Sequence, residues 1–190
     1  LTDFIASERI SLLIDATHPF AETVSDNAYI ASTATNTQRT SLIRPEWSLP
    51  PDAKWVEVDD MQAASEAIGA FATRTFLTTG TRGLEAFSDH TEMWFLVRMI
   101  ANPVDFIPLH NHHIITARPP HSLEAERRLL VEHRIDCLVS KHAGGEATVA
   151  KIITALEADI PIILIRRPIH PPGHCTGSVD ECVDWVLHQL

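Results

Sequence analysis

A chain of 190 residues, 45% of them hydrophobic and 21% charged, can bury one large core or two small ones. Its formal net charge of −10 excludes the basic surface that non-specific DNA or RNA binding needs, so no nucleic-acid partner is expected. No apolar run is long enough to span a bilayer, so no membrane partner is expected either.

The chain opens at Leu1, not Met, on a stretch that already reads as a helix in progress. Leu1, Ile5 and Ile10 are apolar among Asp3, Glu8 and Arg9, and no signal-peptide pattern is present. We therefore expect the natural N-terminus to lie upstream. Strands are then predicted at 11–16, 39–44, 54–58, 75–79, 93–98, 113–118, 136–140 and 161–166. Several are continuously apolar, as parallel strands covered on both faces are. Helical patterns lie between them at 19–35, 60–72, 81–88, 122–133, 146–158 and 178–189. This alternation predicts a mostly parallel α/β sheet. Ser122 before Glu124 and Glu126, and Ser178 before Asp180 and Glu181, are helix-start signals; Pro50-Pro51 and 169–177 (IHPPGHCTG) read as loops. SERISLLIDATHPFAET (7–23) also overlays EHRIDCLVSKHAGGEAT (132–148) without a gap. The matching order of elements predicts two similar α/β halves, with the boundary near Val58–Arg74, set as 1–66 and 67–190.

In doubly wound sheets ligands bind at the carboxyl ends of the strands, so the loops there matter most. In the first, DATHPFA (15–21), Pro19 suits the first helical position, with Thr17 or His18 at the cap. Phe20, Val24, Ala28 and Ala31 recur at helical spacing and are expected to face the sheet. Free N–H groups at such a helix start can hold an anion, and Asp15 can take a ligand's hydrogen bond or brace the turn. A well-capped helix with no ligand is an equally good reading of these residues alone. In the second loop, Ser140-Lys141-His142-Ala143-Gly144-Gly145, two glycines allow close backbone approach and Lys141 adds a positive charge, although the P-loop spacing is absent. Arg44, Arg98, Arg118, Arg166 and Arg167 end other strands, with Arg82 in a nearby loop. Such a set of arginines suits a ligand with many carboxylates.

The histidines of HNHH (110–113) and HPPGHC (170–175) have no zinc spacing and read as solvated loop residues, so no metal is expected. The three cysteines show no paired spacing, and Cys137 reads as a small buried residue. A reducing cytoplasm is the expected location.

Taken together, several motifs resemble the precorrin-6A and cobalt-precorrin-6A reductase family of cobalamin biosynthesis. They are DATHPFA with S-x-N-A (25–28), L-x-R-P-x-W (42–47), F-L-T-T-G (76–80), W-F-L-V-R (94–98), A-R-x-P-x-S-L-E-x-E (117–126), S-K-x-x-G-G (140–145), T-x-A-K-I (148–152) and I-R-R-P (165–168). The resemblance runs in order from about Ile10 to the C-terminus. It implies two Rossmann-like, doubly wound parallel-sheet domains, the N-terminal one incomplete, one for NADPH and one for the tetrapyrrole, with the active site between them. Hydride passes from NADPH to a ring carbon of the macrocycle, and a proton is added at the adjacent carbon. It further implies that Asp15, Thr17, His18, Ser25 and Asn27 shape the coenzyme side. Arg44, Arg98, Arg118, Lys141, Gly144, Gly145 and Arg167 fall to the substrate. No residue is assigned as proton donor, although His18 is chemically able to act. Hand-over of product to the next cobalamin-pathway enzyme is a further expectation.

The departures from the family pattern define an alternative. The first strand and Gly-rich turn of family members have no counterpart after Leu1, Pro119 stands where glycine is frequent, and Ala143 where serine is usual. A truncated, non-catalytic relative that binds a tetrapyrrole or a partner is the competing expectation. A dehydrogenase of a smaller substrate ranks last, because G-x-G-x-x-G is absent.

Overall fold

The computed structural model describes every residue except Ala70 and Leu190. The chain forms two compact units. The first combines Leu1–Glu46 with Arg167–Leu190, and the second is Trp47–Arg166.

The second unit is built on six parallel strands: β3 (Trp55–Val58), β4 (Arg74–Leu77), β5 (Trp94–Met99), β6 (Asn111–Thr116), β7 (Cys137–Lys141) and β8 (Ile162–Ile165). Their spatial order is β3-β8-β7-β4-β5-β6. From β4 the chain winds outward through β5 and β6, then returns to the other side of β4 and winds outward again through β7 and β8. That is a doubly wound sheet, and its direction switches between β4 and β7. The far edge is filled by β3, a strand that precedes the whole winding.

The apolar runs become the buried centre of this sheet. Phe76, Leu77, Leu96, Val97, Leu138, Val139 and Leu164 are fully buried, as strands covered on both faces require. Helices α3 (Met61–Ile68), α4 (Leu123–Glu132) and α5 (Ala150–Glu157) supply cover. The side chain of Asp60 caps α3 by accepting from Ala63 N at 2.8 Å. That of Ser122 caps α4 by accepting from Ala125 N at 3.2 Å. The pattern predicted at 81–88 condenses to a 3₁₀ turn at Leu84–Phe87, and 146–158 splits into a 3₁₀ turn and α5. The predicted helix at 60–72 ends at Ile68, and Ala70 within that range lies outside the described residues.

The first unit carries three parallel strands, β1 (Leu12–Asp15), β2 (Gln38–Leu42) and β9 (His174–Thr176), in the order β1-β2-β9. They associate with helices α1 (Thr2–Ser7), α2 (Glu22–Thr35) and α6 (Val179–Gln189). Strand β9 lies where the sequence predicted a loop. It is three residues long, and its strand character comes from pairing with β2, Thr40 opposite His174, which no local pattern reveals. The division of the chain also differs from 1–66 and 67–190. Pairing of β3 with β8 draws 55–58 into the second unit, and pairing of β9 with β2 returns the C-terminal segment to the first.

Two sequence expectations about α2 are corrected. The helix starts at Glu22 rather than Pro19, with Ala21 at its N-cap and no side-chain cap. A turn precedes it, in which the His18 carbonyl accepts from Ala21 N at 2.7 Å and the His18 ring Nδ1 accepts from Phe20 N at 3.2 Å. Ala28 and Ala31 are buried as expected, whereas Val24, in the first turn of the helix, is exposed.

The internal echo is structural. Arg9 and Arg134, equivalent in the overlay, both adopt a left-handed conformation (φ 53° and 50°) at the ends of α1 and α4. In each, the next residue's N–H bonds back five residues: Ile10 to the Ile5 carbonyl at 3.0 Å, and Ile135 to the Leu130 carbonyl at 2.9 Å. Ile5 and Leu130 are both buried beneath these turns. This is the Schellman closure of a helix that feeds directly into a strand, here β1 and β7.

Candidate functional site

In the first unit the candidate site is the turn after β1. Asp15 ends the strand with 5% of its surface exposed. Its Oδ1 accepts from Thr17 N at 3.1 Å and from Thr17 Oγ1 at 2.7 Å. The Thr17 hydroxyl lies 3.3 Å from Ser25 Oγ, one turn into α2. The other oxygen, Oδ2, is buried without a hydrogen-bond partner, and His170 Nε2 stands 3.8 Å from it, too far for a hydrogen bond. Burial works to raise the Asp15 carboxyl. The hydroxyls of Ser25 and Thr17, the Thr17 N–H and, when its ring is protonated, His170 outweigh it, so the group titrates below its ordinary value. Asp15 is therefore a carboxylate at neutral pH.

Four of the five residues expected on the coenzyme side, Asp15, Thr17, His18 and Ser25, line one small cavity with His170. Asn27 does not join them. It lies two positions beyond Ser25 on α2, which turns it to another face, and it is exposed. The sequence missed His170, read as a solvated loop residue. It reaches Asp15 because the chain returns to add β9.

Arg44 and Arg167 also meet in the first unit. Arg167 Nη1 donates to the Arg44 carbonyl at 2.9 Å, and its Nε lies 3.4 Å from a Glu46 carboxylate oxygen. Burial lowers both guanidinium groups from their ordinary values, and the charge of Arg44 lowers Arg167 further. Two half-buried cations side by side are suited to an anionic ligand group.

In the second unit the switch point between β4 and β7 is where ligand chemistry belongs. The Thr78–Gly83 turn leaves β4 there, and the Lys141–Gly145 turn leaves β7. Gly144 and Gly145 both have positive φ, 66° and 81°, so the S-K-x-x-G-G spacing is a backbone requirement. Lys141 is half-buried, and burial together with the charge of Arg82 lowers its ammonium from the ordinary value. The turn is held by the buried His142. Its Nδ1 bonds Glu57 Oε1 at 2.8 Å, and its Nε2 lies 3.1 Å from the Trp47 carbonyl. Trp47 Nε1 in turn donates to the Gly145 carbonyl at 2.9 Å. Trp47, the last residue of the L-x-R-P-x-W stretch, and Glu57, which lies in none of the motifs, are positioning groups. The Thr79 hydroxyl, in the neighbouring turn, is buried without a partner.

The remaining two expected substrate residues behave differently from each other. Arg118 is exposed beyond the end of β6. Arg98 is buried in the unit and paired there with an acid. It is 7% exposed, forms a two-pronged ion pair with the buried Glu126 of α4, and stacks over Phe76 at 4.9 Å. Its charge is committed inside the unit, and Glu126 in the S-L-E-x-E stretch was the available sign. Among the described residues no group of three or more His, Cys, Asp or Glu is arranged to hold a metal, and no helix is long and apolar enough to cross a membrane. His112 and His113 are strand residues of β6, not loop histidines. Cys137 is buried, which pushes its thiol up to about 12.

Comparison with known proteins agrees with the motifs. The model of the family described as "Precorrin-6x reductase CbiJ/CobK" matches residues 1–187. The precorrin-6A reductase of Rhodococcus erythropolis is 38% identical over 189 residues, covering 98% of this chain and 75% of the relative. The precorrin-6A reductase of Mycobacterium tuberculosis is 35% identical over 187 residues, with coverages of 98% and 75%. The cobalt-precorrin-6A reductase of Priestia megaterium is 27% identical over 199 residues, covering 100% of this chain and 78% of the relative. The solved structure of a CobK precorrin-6A reductase superposes with a TM-score of 0.93 at 31% identity, over 99% of this chain and 75% of that one. The chain belongs to the precorrin-6x reductase family.

Proposed function

We propose that this protein catalyses the NADPH-dependent reduction of precorrin-6A, or its cobalt form, to the dihydro product in cobalamin biosynthesis. The family match over residues 1–187 carries this reading. The greater identity to precorrin-6A reductases than to cobalt-precorrin-6A reductases favours the metal-free substrate.

The residues of the first unit fit the coenzyme on one observation. Asp15 Oδ2 is buried without a donor, and NADPH carries an amide and several hydroxyls able to donate. The bound coenzyme supplies the hydride. Asp15, Thr17, His18 and Ser25 orient it. Arg44, Arg118, Lys141 and Arg167 hold the acetate and propionate groups of the macrocycle, and Gly144 and Gly145 let the backbone approach it. These roles are electrostatic and positional, with no covalent nucleophile and no metal in them. The product passes to the next enzyme of the pathway in the cytoplasm.

The test is to mix the purified full-length protein with precorrin-6A and NADPH and follow absorbance at the NADPH band. Substrate-dependent loss of NADPH is expected. Its absence, with the cobalt form also inert, overturns the proposal and leaves a non-catalytic tetrapyrrole-binding relative.

A further inference from the structure

The turn after β1 holds an acceptor with nothing to accept. Asp15 Oδ2 is buried and unpartnered, although Oδ1 of the same carboxylate takes both donors of Thr17. An unmet buried carboxylate oxygen is costly, so its retention calls for an explanation. The cavity it lines is small, and His170 forms the opposite wall. His170 Nδ1 lies 2.9 Å from the Pro171 carbonyl, which only accepts, so that nitrogen carries the hydrogen. In the neutral ring Nε2 is then a lone pair. Two acceptors therefore face each other 3.8 Å apart. An N–H₂ or O–H group can sit within hydrogen-bond distance of both, because about 2.9 Å from each closes a triangle over that gap. A ligand carboxylate would meet the charge of Asp15 and be repelled.

We infer that Asp15 and His170 form a subsite for a neutral hydrogen-bond donor of a bound ligand, an amide N–H₂ or a hydroxyl, and that it rejects carboxylates. The inference rests on the coenzyme reading for its first choice of ligand, and it adds His170 to the residues that read that ligand. Leu42 and Ile43 line the cavity beside these polar groups, and a bond to the buried Oδ2 counts for more than one at the surface.

The experiment is a fluorescence titration of the full-length protein with NADPH and with its 3-acetylpyridine analogue, in which a methyl ketone replaces the amide. Wild type, Asp15→Asn and His170→Ala are compared, with circular dichroism to confirm folding. If the donor is the amide, wild type binds NADPH about tenfold more tightly than the analogue, the size expected of one hydrogen bond to a charged group. Asp15→Asn abolishes the difference, and His170→Ala, the milder change, halves it at least. If Asp15→Asn weakens both ligands equally, the donor is a hydroxyl and the subsite stands. If neither variant changes either affinity, the oxygen serves only an ordered water and the inference is overturned while the coenzyme reading survives. If wild type binds neither nucleotide, the coenzyme reading fails and the same variants are titrated with precorrin-6A. A changed affinity there keeps the subsite, and an unchanged one removes it.

Discussion

The turn after β1 and the turn after β7 are reached by the same route and end in opposite chemistry. Each follows a helix closed by a left-handed arginine, Arg9 or Arg134, and a short parallel strand. At the strand end one has Asp15, its carboxylate braced by hydroxyls and charged at neutral pH. The other has Lys141, followed by two left-handed glycines and locked from behind by His142 and Glu57. The scaffold fixes where a ligand approaches. The four or five residues after the strand fix what kind of group is welcome.

That contrast can be broken hardest at Arg98, a cation near the end of β5 that is paired inside the unit. Arg98→Ala leaves Glu126 buried and unpaired and is expected to cost about 3–5 kcal/mol in denaturant unfolding. Replacing both partners, Arg98→Met with Glu126→Leu, is expected to recover most of it. A tenfold rise in KM for precorrin-6A with unchanged stability would restore Arg98 to the ligand. Lys141→Met makes the opposite pattern the expected one. Stability is expected to fall by less than for Arg98→Ala, because no buried acid is left unpaired among the contacts described. KM for precorrin-6A rises about tenfold, the value of one charge-assisted bond, and affinity for NADPH is unchanged. Thr17→Val tests the first turn on the same axes. It removes one hydroxyl donor from Asp15 at a cost of about 1 kcal/mol and weakens NADPH rather than the macrocycle.

The smallest effect is in pH. Asp15 and Glu57 are both held below their ordinary carboxyl values, so each contributes stability that is complete above about pH 5 and lost as pH falls through the folded-state value. For Glu57, burial raises the group and the bonds of His142 and Arg166 lower it by more. The second unit also holds His121 and His133, both lowered chiefly by burial. A lowered histidine favours the neutral form in the folded state, so its contribution falls as pH drops through about 6.5. Amide protection, taken relative to the intrinsic exchange rate at each pH, is expected to fall in the second unit between pH 7 and 5.5, before it falls around Asp15. Simultaneous loosening would remove the distinction.

The central strands, α4 and the Gly-Gly turn were legible because each depends on a local pattern: an unbroken apolar run, a serine three residues before a free N–H, a glycine where φ is positive. The pairing of Arg98 was not legible, because a strand-end arginine looks alike whether it faces a ligand or a buried glutamate 28 residues later. His170 and β9 were missed for a related reason. Three residues among prolines carry no strand signal, and pairing with β2 across 134 residues supplies it. Asn27 was assigned by motif membership, although two positions along a helix cannot share a face.

The order in which strands pair has a consequence for synthesis. Strand β3 is made before the rest of its sheet, yet its partner is β8, the last strand of that sheet. In the first unit, β2 waits for β9. A ribosome emitting this chain therefore releases two early strands with open edges, and neither can be sheltered until the final quarter has emerged. The polar stretch QRT at the start of β2 and the charged Glu57 in β3 keep those waiting edges from recruiting strangers. Slow translation across residues 59–161 would lengthen their exposure. Ribosome-bound chains stalled before β8 are where this protein is most vulnerable to aggregation.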